Sequence, residues 1–339
     1  MRLFRQLSDA TASGFGPSAI TIGNFDGVHE GHRALLDRTL ALARARSLKP
    51  SALTFHPHPT AIVAPHRTPR LLSTIDARAA LLADAGIAQT LILPFDQLLA
   101  DLEPAEFFQR ILRRDLGAQA IIVGDNFRFG RRQSGDVNTL RELGFGLGVV
   151  IEIVPAIRRR GFTVSSSQIR ALLAAGRAGL AARLLGRPYS LAGHVVKGAG
   201  RGSRETVPTL NLELPSLDDA DRALPLDGVY ITRTHDHEAP RSWPSITNIG
   251  YRPTYNGAHL TIETFLLEPL TGDTPSQISI DFLHRLRPER RFPSPEDLRA
   301  QILSDVARAH SWFRRAARWI NHPTTTPPPP LPASPQTPA

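Results

Sequence analysis

The stretch Ile20–His32 reads ITIGNFDGVHEGH and predicts a strand, a glycine-containing turn and the start of a helix. Its apolar beginning, Ala19–Ile22, has the character of a short buried strand. A helical pattern follows, with Leu36, Leu40 and Ala43 on one face. Such a turn places backbone N–H groups and the positive end of a helix dipole where a phosphate can bind.

The polar side chains of this stretch suit phosphate chemistry. His29 and His32 are three residues apart, so they share a face of the first helical turn. Two imidazoles there can donate hydrogen bonds to phosphate oxygens as charge develops on them. Gly27 and Gly31 have no Cβ, which lets a ligand approach the backbone. Histidines at a helix start can also simply cap it, and that structural role is the alternative.

Composition excludes several classes of protein. The chain of 339 residues has room for two hydrophobic cores, and it contains no cysteine, which excludes disulfides and thiolate chemistry. It shows no signal-peptide pattern and no apolar run long enough to span a bilayer, so we expect a cytoplasmic protein without a membrane partner. The net charge of +9 comes mostly from scattered arginines. We interpret it as a surface that favours anionic small ligands and expect no nucleic-acid partner.

Residues 18 to 124 alternate strand and helix patterns. Candidate strands are Ala19–Ile22, Ser51–Phe55, Thr90–Leu93 and Ala120–Val123, and candidate helices are Gly31–Ser47, Asp76–Ala85 and Pro104–Leu116. A further strand is predicted at Gly148–Val154. Repeated β-α-β units predict a Rossmann-like parallel sheet with helices on both faces. Ligands of such sheets bind beyond the carboxyl ends of the strands, so the loops after the strands are the candidate site.

Two of these loops carry suitable side chains. The first, TFHPHP at residues 54–59, is stiffened by prolines, and its histidines suit a phosphate or a metal, with a rigid surface loop as the alternative. The second, GDNFRFG at residues 124–130, offers Asn126 as donor and acceptor for a ribose, a phosphate or a base. Phe127 or Phe129 suits stacking on a flat ring, although either could belong to the core.

The string SSSQIR at residues 165–170 precedes an apolar helical run. Serines in this position are ordinary helix N-caps. Their hydroxyls, the free N–H groups of the helix start and Arg170 one turn on also make an anion site.

The pattern changes near residue 186, where we place a domain boundary. Period-two runs at Gly228–Thr232, Leu260–Leu267 and Gln277–Phe282 predict a small antiparallel β-barrel, closed by a helical stretch at Ser294–Phe313. Residues 321–339 are rich in proline and threonine and are expected to be a disordered tail. The predicted architecture is therefore α/β plus β, with domains at 1–186 and 187–320.

A second group of candidate residues lies in the barrel region. The glycine-rich segment at residues 193–203, which includes Gly198, could wrap phosphates, although its spacing is not that of a Walker P-loop. Thr209 and Asn211 alternate on an extended segment, so both present oxygens on one side, and such oxygens suit Mg²⁺. Glu263 is the lone carboxylate of an apolar strand and is either used or simply faces outward.

These strings, in this order, resemble the family of bacterial bifunctional riboflavin kinase/FAD synthetases. GNFDGVHEGH, TFHPHP, GDNFRFG and SSSQIR resemble its nucleotidyltransferase half. PTLNL at 208–212, NIGYRPT at 248–254, TIET at 261–264 and RFPSPEDL from Arg291 resemble its kinase half. The resemblance covers residues 1 to 315, which is nearly all of the chain except the tail.

The resemblance implies two ATP-dependent reactions, from riboflavin to FMN and from FMN to FAD. It implies Glu263, His29 and His32 as the catalytic residues. The implied nucleotide-binding residues are Gly23, Phe25, Asp26, Gly27, His29, Gly31, His32, Asn126, Ser166, Ser167, Arg170, Gly198, Thr209 and Asn211. Asn126, Phe129 and Arg287 are the implied flavin-binding residues, and Thr209 and Asn211 would hold Mg²⁺ with ATP. The implied small-molecule partners are ATP, riboflavin, FMN and FAD, and the oligomeric state is not predicted.

The chain departs from the family pattern at three positions. Ser167 stands where threonine is usual, which keeps the hydroxyl. Ser203 and Thr206 stand where the family has arginine and glycine, and a threonine takes a positive φ only at a cost. The alternatives are therefore that one site, more readily the kinase, has lapsed, or that the chain is a flavin or nucleotide sensor. A generic cytidylyl- or pantetheine-type transferase would explain the opening motif but not residues 190 to 315.

Overall fold

In a computed structural model the chain forms two compact units, Met1–Gln168 and Ile169–Ala339. The structure describes residues 1–196, 209–215, 222–254 and 257–320. Gly198, Ser203 and Thr206 of the kinase-like half and the proline-rich tail lie outside the described residues.

The first unit contains a six-stranded parallel sheet. Its strands are β1 Arg2–Phe4, β2 Ser18–Ile22, β3 Lys49–His56, β4 Gln89–Pro94, β5 Ala118–Gly124 and β6 Val150–Val154. They lie in the order β1-β4-β3-β2-β5-β6, and every neighbouring pair is parallel. The predicted parallel sheet is confirmed. A short antiparallel hairpin, β7 Arg158–Arg159 and β8 Phe162–Thr163, follows β6.

Helices flank this sheet in sequence between its strands. They are α1 Leu7–Ala12, α2 Glu30–Ala45, α3 Pro59–Val63, α4 Ile75–Asp84, α5 Gln97–Ala100, α6 Pro104–Glu106 and α7 Val137–Gly146. The sequence predicts one helix over Pro104–Leu116, and there α6 continues as a π-helical stretch, Phe107–Asp115. That stretch buries Phe107, Phe108, Ile111 and Leu112 against the core of the sheet.

The strand order places two of the sequence motifs side by side. From β2 the chain runs outward through β3 to β4, and it then crosses to β5 and β6 on the other side of β2. The order therefore reverses between β2 and β5, and such a switch point opens a crevice at the carboxyl ends of the strands. The loops that leave β2 and β5 there carry GNFDGVH and DNFRFG.

The second unit contains a closed antiparallel barrel. Its strands are β9 Tyr189–Val196, β10 Thr209–Glu213, β11 Gly228–Asp236, β12 Ser242–Thr254, β13 Gly257–Leu266 and β14 Gln277–Arg287, in the order β10-β13-β12-β11-β14-β9. Helix α10, Pro295–Ile320, packs Ala309 and Trp312 against Ile231 and Ile246 on the outside of the barrel. The predicted barrel with a covering helix is confirmed.

Two helices precede the barrel. Helix α8, Ser166–Ala174, runs across the division between the units, and α9, Ala178–Leu185, packs against β9 and β14. Gly186 takes a left-handed conformation with φ 78° and ends α9 as its C-cap. The expected boundary near residue 186 stays a prediction, and the compact units divide earlier because α9 packs on the barrel.

Hydroxyl groups fill part of the barrel interior. The Thr232 hydroxyl lies 2.8 Å from those of Ser245 and Thr247, and the Thr247 hydroxyl lies 2.8 Å from that of Thr264. All four residues are fully buried. Because each hydroxyl can both donate and accept, the chain satisfies groups that would otherwise be costly to bury.

Candidate active sites

His29 and His32 stack on each other at the start of α2. Their ring centroids lie 3.6 Å apart and their planes differ by 10°. His29 is also the N-cap, since its Nδ1 accepts the N–H of His32 at 3.2 Å. The neutral His29 ring therefore carries its proton on Nε2. Capping and donation to a phosphate, the two roles that the sequence left open, use different nitrogen atoms of this ring.

The glycines of this motif have packing roles. A Cβ on Gly31 would lie 3.2 Å from two atoms of the His29 ring and 3.3 Å from the carbonyl oxygen of Val164. Gly27 has φ 80° and donates its N–H to Ser73 Oγ at 3.0 Å. Gly23 lies against the ring of Phe25. The first motif is thus closely packed before any ligand is considered.

Phe25 and Asp26 face the interior of the unit. Phe25 is fully buried, and its ring meets that of His32 edge to face at 5.1 Å. The Asp26 carboxylate is 1% exposed and accepts the N–H groups of Leu72 and Ser73 at 2.9 and 3.1 Å. Both side chains support the loop from inside, and the predicted contact of these residues with a nucleotide stays a prediction.

The serine motif joins the first motif. Ser166 donates its hydroxyl to the carbonyl oxygen of Asp26 at 2.9 Å. Ser165 caps α8 by accepting the N–H of Gln168 at 3.2 Å, a role that the cap preference of serine indicated without naming the residue. Ser167 is exposed at the first turn. Arg170 follows in the same helix, on the second unit's side of the division.

The loop after β3 also reaches the first motif. The amide nitrogen of Asn24 lies 3.1 Å from Nε2 of His58, and His58 Nδ1 accepts the N–H of Thr60 as the N-cap of α3. The sequence identified the TFHPHP loop but not the contact with Asn24. The adjacency of β2 and β3 brings the two loops together, and strand order was not available from the motifs.

The loop after β5 presents one residue outward and one inward. Asn126 is exposed at a turn. Phe129 is buried, and its ring lies 5.5 Å from the stacked ring of Phe127 and 6.0 Å from that of Phe107. Phe127 is half-buried and covers Phe129. The structure thus places Phe129 in the core, and Phe127 is the aromatic ring of this loop that is open to a ligand.

A row of polar side chains crosses three strands of the barrel. Asn211 on β10 and Asn248 on β12 are both directly opposite Glu263 on β13. Directly opposed residues of antiparallel strands share a face of the sheet. The three side chains therefore form an amide–carboxylate–amide row.

The row lies on the outer face of the barrel. Along β10, Leu210 and Leu212 are buried, whereas Thr209 is exposed and Asn211 is half-buried. The predicted common orientation of Thr209 and Asn211 is confirmed. Glu263 faces outward from its strand, which is the alternative that the sequence left open, and it lies between the amides of Asn211 and Asn248.

Asn248 and Glu289 extend this row toward a groove. Asn248 Nδ2 donates to Glu289 Oε1 at 3.3 Å, while Asn248 Oδ1 is buried and has no hydrogen-bond partner among the residues that the structure describes. The residues that follow Glu289 in the chain line a groove of about 440 Å³. They are Arg290, Arg291, Phe292, Pro293, Asp297, Ala300 and Gln301. Asn248 belongs to the NIGYRPT motif, but the sequence did not single it out or Glu289.

Arg287 joins the barrel to α10. Its Nε donates to Asp305 Oδ2 at 2.8 Å, and Gln301 donates to the other oxygen of Asp305 at 2.9 Å. Asp305 is almost fully buried, and the Arg287 guanidinium lies 5.7 Å from the centroid of the Phe292 ring. The contacts seen here are structural, and the flavin contact of Arg287 stays a prediction.

Comparison with known proteins gives a consistent result for both halves. Residues 13–168 match the family model for FAD synthetase, and residues 185–313 match that for riboflavin kinase. A bifunctional riboflavin kinase/FMN adenylyltransferase of Pseudomonas fluorescens is 39% identical over 295 residues, which cover 86% of this chain and 91% of the relative. The protein of the same description from Escherichia coli K12 is 32% identical over 313 residues, which cover 92% and 98%.

A solved structure shares the architecture of both units. It is described as a macrolide-efflux protein from Streptococcus pneumoniae, and it aligns with a TM-score of 0.79 at 25% identity over 88% of this chain and 95% of that chain. None of the helices in the described part of the present chain combines the length and apolar character needed to cross a membrane.

Proposed function

The chain belongs to the family of bifunctional riboflavin kinases/FMN adenylyltransferases, and from that premise we propose which of its residues carry each activity. The domains stand in the order FAD synthetase and then riboflavin kinase. The chain is therefore a bifunctional enzyme that converts riboflavin to FMN and FMN to FAD, each time with ATP. The sequence predicted both activities and their order, and this is confirmed.

We propose that His29 and His32 stabilise the phosphates during adenylyl transfer. A phosphate oxygen of FMN would attack the α-phosphorus of ATP, and the bond to pyrophosphate would break, without a covalent enzyme intermediate. The stacked imidazoles at the start of α2, beside the switch point of the sheet, support this role. Hydrogen-bond donors aimed at developing charge are commonly the largest catalytic contribution.

Further residues of the first site would hold the phosphates and the flavin. Ser166 and Ser167 at the start of α8, with Arg170 one turn on, would bind phosphates of ATP, since N–H groups and the helix dipole favour anions there. Asn126 would contact the flavin nucleotide, and the partly open ring of Phe127 supports a stacking position on the same loop.

We propose that Glu263 is the general base of the kinase. It would accept the proton of the ribityl 5′-hydroxyl as that oxygen attacks the γ-phosphorus of ATP and ADP leaves. The single observation that carries this proposal is the cross-strand row Asn211–Glu263–Asn248. The groove beside Glu289 would hold the flavin ring, with Arg287 near its aromatic wall.

Thr209 and Asn211 would hold Mg²⁺ together with the phosphates of ATP. Among the described residues, no group of three or more His, Asp or Glu side chains could hold a metal ion. The oxygens of Thr209 and Asn211 fit Mg²⁺, because this ion takes few protein oxygens and keeps water and substrate phosphates as its other ligands. When bound, the ion would neutralise charge on the transferring phosphates. Gly198, predicted to contact the nucleotide, lies outside the described residues.

Product analysis tests the assignment of both sites. The purified chain is incubated with riboflavin, ATP and Mg²⁺, and the flavins are separated by chromatography. FAD formation is expected. FAD from supplied FMN but not from riboflavin would show a lapsed kinase, which the departures Ser203 and Thr206 leave as the alternative. If flavin binds but is not converted, the alternative that the chain is a flavin sensor would be favoured. A cytoplasmic location is part of the proposal and is tested by cell fractionation.

A further inference from the structure

Arg78 is a buried charge between the loops that follow β2 and β3. It lies on α4 and is 3% exposed. Its Nη1 donates to the Thr54 hydroxyl at 3.3 Å and lies 3.4 Å from the carbonyl oxygen of Phe55, while Nη2 lies 3.9 Å from Asp26 Oδ1. One guanidinium thus contacts the loop of GNFDGVHEGH and the end of the strand that leads into TFHPHP.

The partners of Arg78 extend this contact to three motifs. Thr54 accepts from Arg78 and donates its own hydroxyl to the carbonyl oxygen of Asn24 at 3.1 Å. The carbonyl oxygen of Asp26 accepts from Ser166, the first residue of α8. The guanidinium therefore lies at the junction of the segments that carry His29, His58 and the serine motif.

The stability of the fold does not explain this arginine. Burial lowers the pKa of Arg78, and Asp26 only partly opposes that effect. The ion pair is loose at 3.9 Å, and Arg78 Nε has no hydrogen-bond partner among the described residues. Replacing both partners of a buried ion pair with apolar groups is often neutral or stabilising, even though removing one partner alone is costly, so such a pair is weak evidence for a stabilising role. A costly buried charge of this kind is more readily explained by what it positions.

We propose that Arg78 is a positioning residue for adenylyl transfer. By holding Asp26 and Thr54, it fixes the loop that leads into His29 relative to the loop that carries His58. It contacts no reacting atom. The inference rests on the proposed role of His29 and His32. It adds a residue that belongs to neither GNFDGVHEGH nor TFHPHP, the two motifs that it contacts.

The test compares Arg78→Met and Arg78→Lys in the full chain. Rates of FAD formation from FMN give kcat and KM, and the stoichiometry of FMN binding at the first site, with the kinase site blocked by riboflavin, gives the fraction of folded sites. The rate of FMN formation from riboflavin on the same molecule is the internal control. Arg5→Met is the matched variant, because exposed Arg5 pairs with Asp76 of the same helix at 2.6 Å.

Arg78→Met is expected to lower kcat for FAD formation at least about 10-fold, since small displacements of catalytic groups can cost about 100-fold. In Arg78→Met, the stoichiometry of FMN binding and the rate of FMN formation are expected to stay unchanged. Arg5→Met is expected to keep the wild-type rates of both reactions, and Arg78→Lys to recover part of the lost rate. A wild-type rate in Arg78→Met overturns the positioning role alone. A loss of stoichiometry that matches the loss of rate also overturns it, because Arg78 would then only support folding. Wild-type FAD formation that survives loss of both His29 and His32 would instead overturn the site assignment beneath it.

Discussion

Asn211 and Glu263 lie directly opposite each other on neighbouring antiparallel strands, β10 and β13, with both side chains on the outer face of the barrel. The Cβ atoms of such pairs are about 5 Å apart, which is close enough for an amide and a carboxylate to act on one ligand. The pair brings a proposed Mg²⁺ ligand beside the proposed base. It gives the kinase assignment a geometric basis that does not depend on the glycine-rich segment around Gly198, which lies outside the described residues.

Glu263→Gln is expected to abolish FMN formation while FAD formation from supplied FMN continues. The amide keeps the size of the side chain but cannot accept the hydroxyl proton, and loss of a general base costs about 10²- to 10⁴-fold. Chromatography of flavins from the two half-reactions measures both rates. Glu213→Gln is the control, because Glu213 is exposed on the outer face of β10. An equal loss of both activities would contradict the two-site assignment.

His29→Asn is expected to lower FAD formation from FMN at least about 100-fold, by analogy with the loss of a single oxyanion donor. Asparagine is a good N-cap, so the variant retains α2, whereas alanine would also cost about 1 kcal/mol of helix stability. The kinase rate of the same protein should not change. His66→Ala serves as control, since His66 is exposed on a short turn of the same unit. A His29→Asn enzyme with normal FAD formation would remove His29 from the mechanism.

The elements that the sequence predicted well are those with a strong local pattern. The predicted strand Ala19–Ile22 lies within β2, Ser18–Ile22, in which every residue is buried. The predicted helix Ser294–Phe313 begins one residue before α10, Pro295–Ile320, and otherwise lies within it. The short strands β1 and β7 gave no local signal, because two or three residues are too few to show a period. The π-helical turn at Phe107–Asp115 was also missed, since apolar spacing alone does not separate it from an α-helix.

The site was predictable where chemistry is carried by single residues and not where it depends on register. The histidines and Glu263 were found in their motifs. Asn248 was not singled out, because its place beside Glu263 follows from the pairing of β12 with β13. Arg78 belongs to no motif, and its role emerges only when α4 is seen against the ends of β2 and β3. The flavin contact of Phe129 stays a prediction, because a sequence pattern cannot show that its ring is buried while that of Phe127 is half-buried.

Asp305→Ala is expected to destabilise the attachment of α10 by about 3–5 kcal/mol, because it leaves the partly buried guanidinium of Arg287 without its counter-charge. Urea unfolding followed by tryptophan fluorescence, to which Trp312 of α10 contributes, measures the change. Glu296→Ala in the exposed first turn of the same helix is the control and should change little. An unchanged midpoint in Asp305→Ala would show that the Arg287–Asp305 pair does not stabilise the fold. Flavin binding would then be the remaining proposed role of Arg287.

His237 should make the stability of the barrel depend on pH. Burial lowers the pKa of His237 below its ordinary value of 6.5, and the charge of neighbouring His235 lowers it further, while Asp236 and Glu238 oppose the shift. Neither ring nitrogen has a hydrogen-bond partner among the described residues. The unfolded chain therefore binds a proton more readily than the folded barrel between the lowered pKa and 6.5. Stability is fully present above pH 6.5 and falls as the pH drops through that window.

Urea midpoints from pH 5 to pH 7.5 test this expectation when wild type is compared with His237→Phe. The phenylalanine fills a similar volume and cannot bind a proton, so its midpoint should fall less on acidification. Burial and Arg308 also lower the pKa of His284, so part of the slope should survive in the variant. His284→Phe should remove that remainder, and the effects of the two changes should add, because His237 lies in the turn after β11 whereas His284 lies on β14, and the charges that shift their pKa values come from different residues. Identical slopes in wild type and His237→Phe would show that His237 does not contribute to the pH dependence of stability.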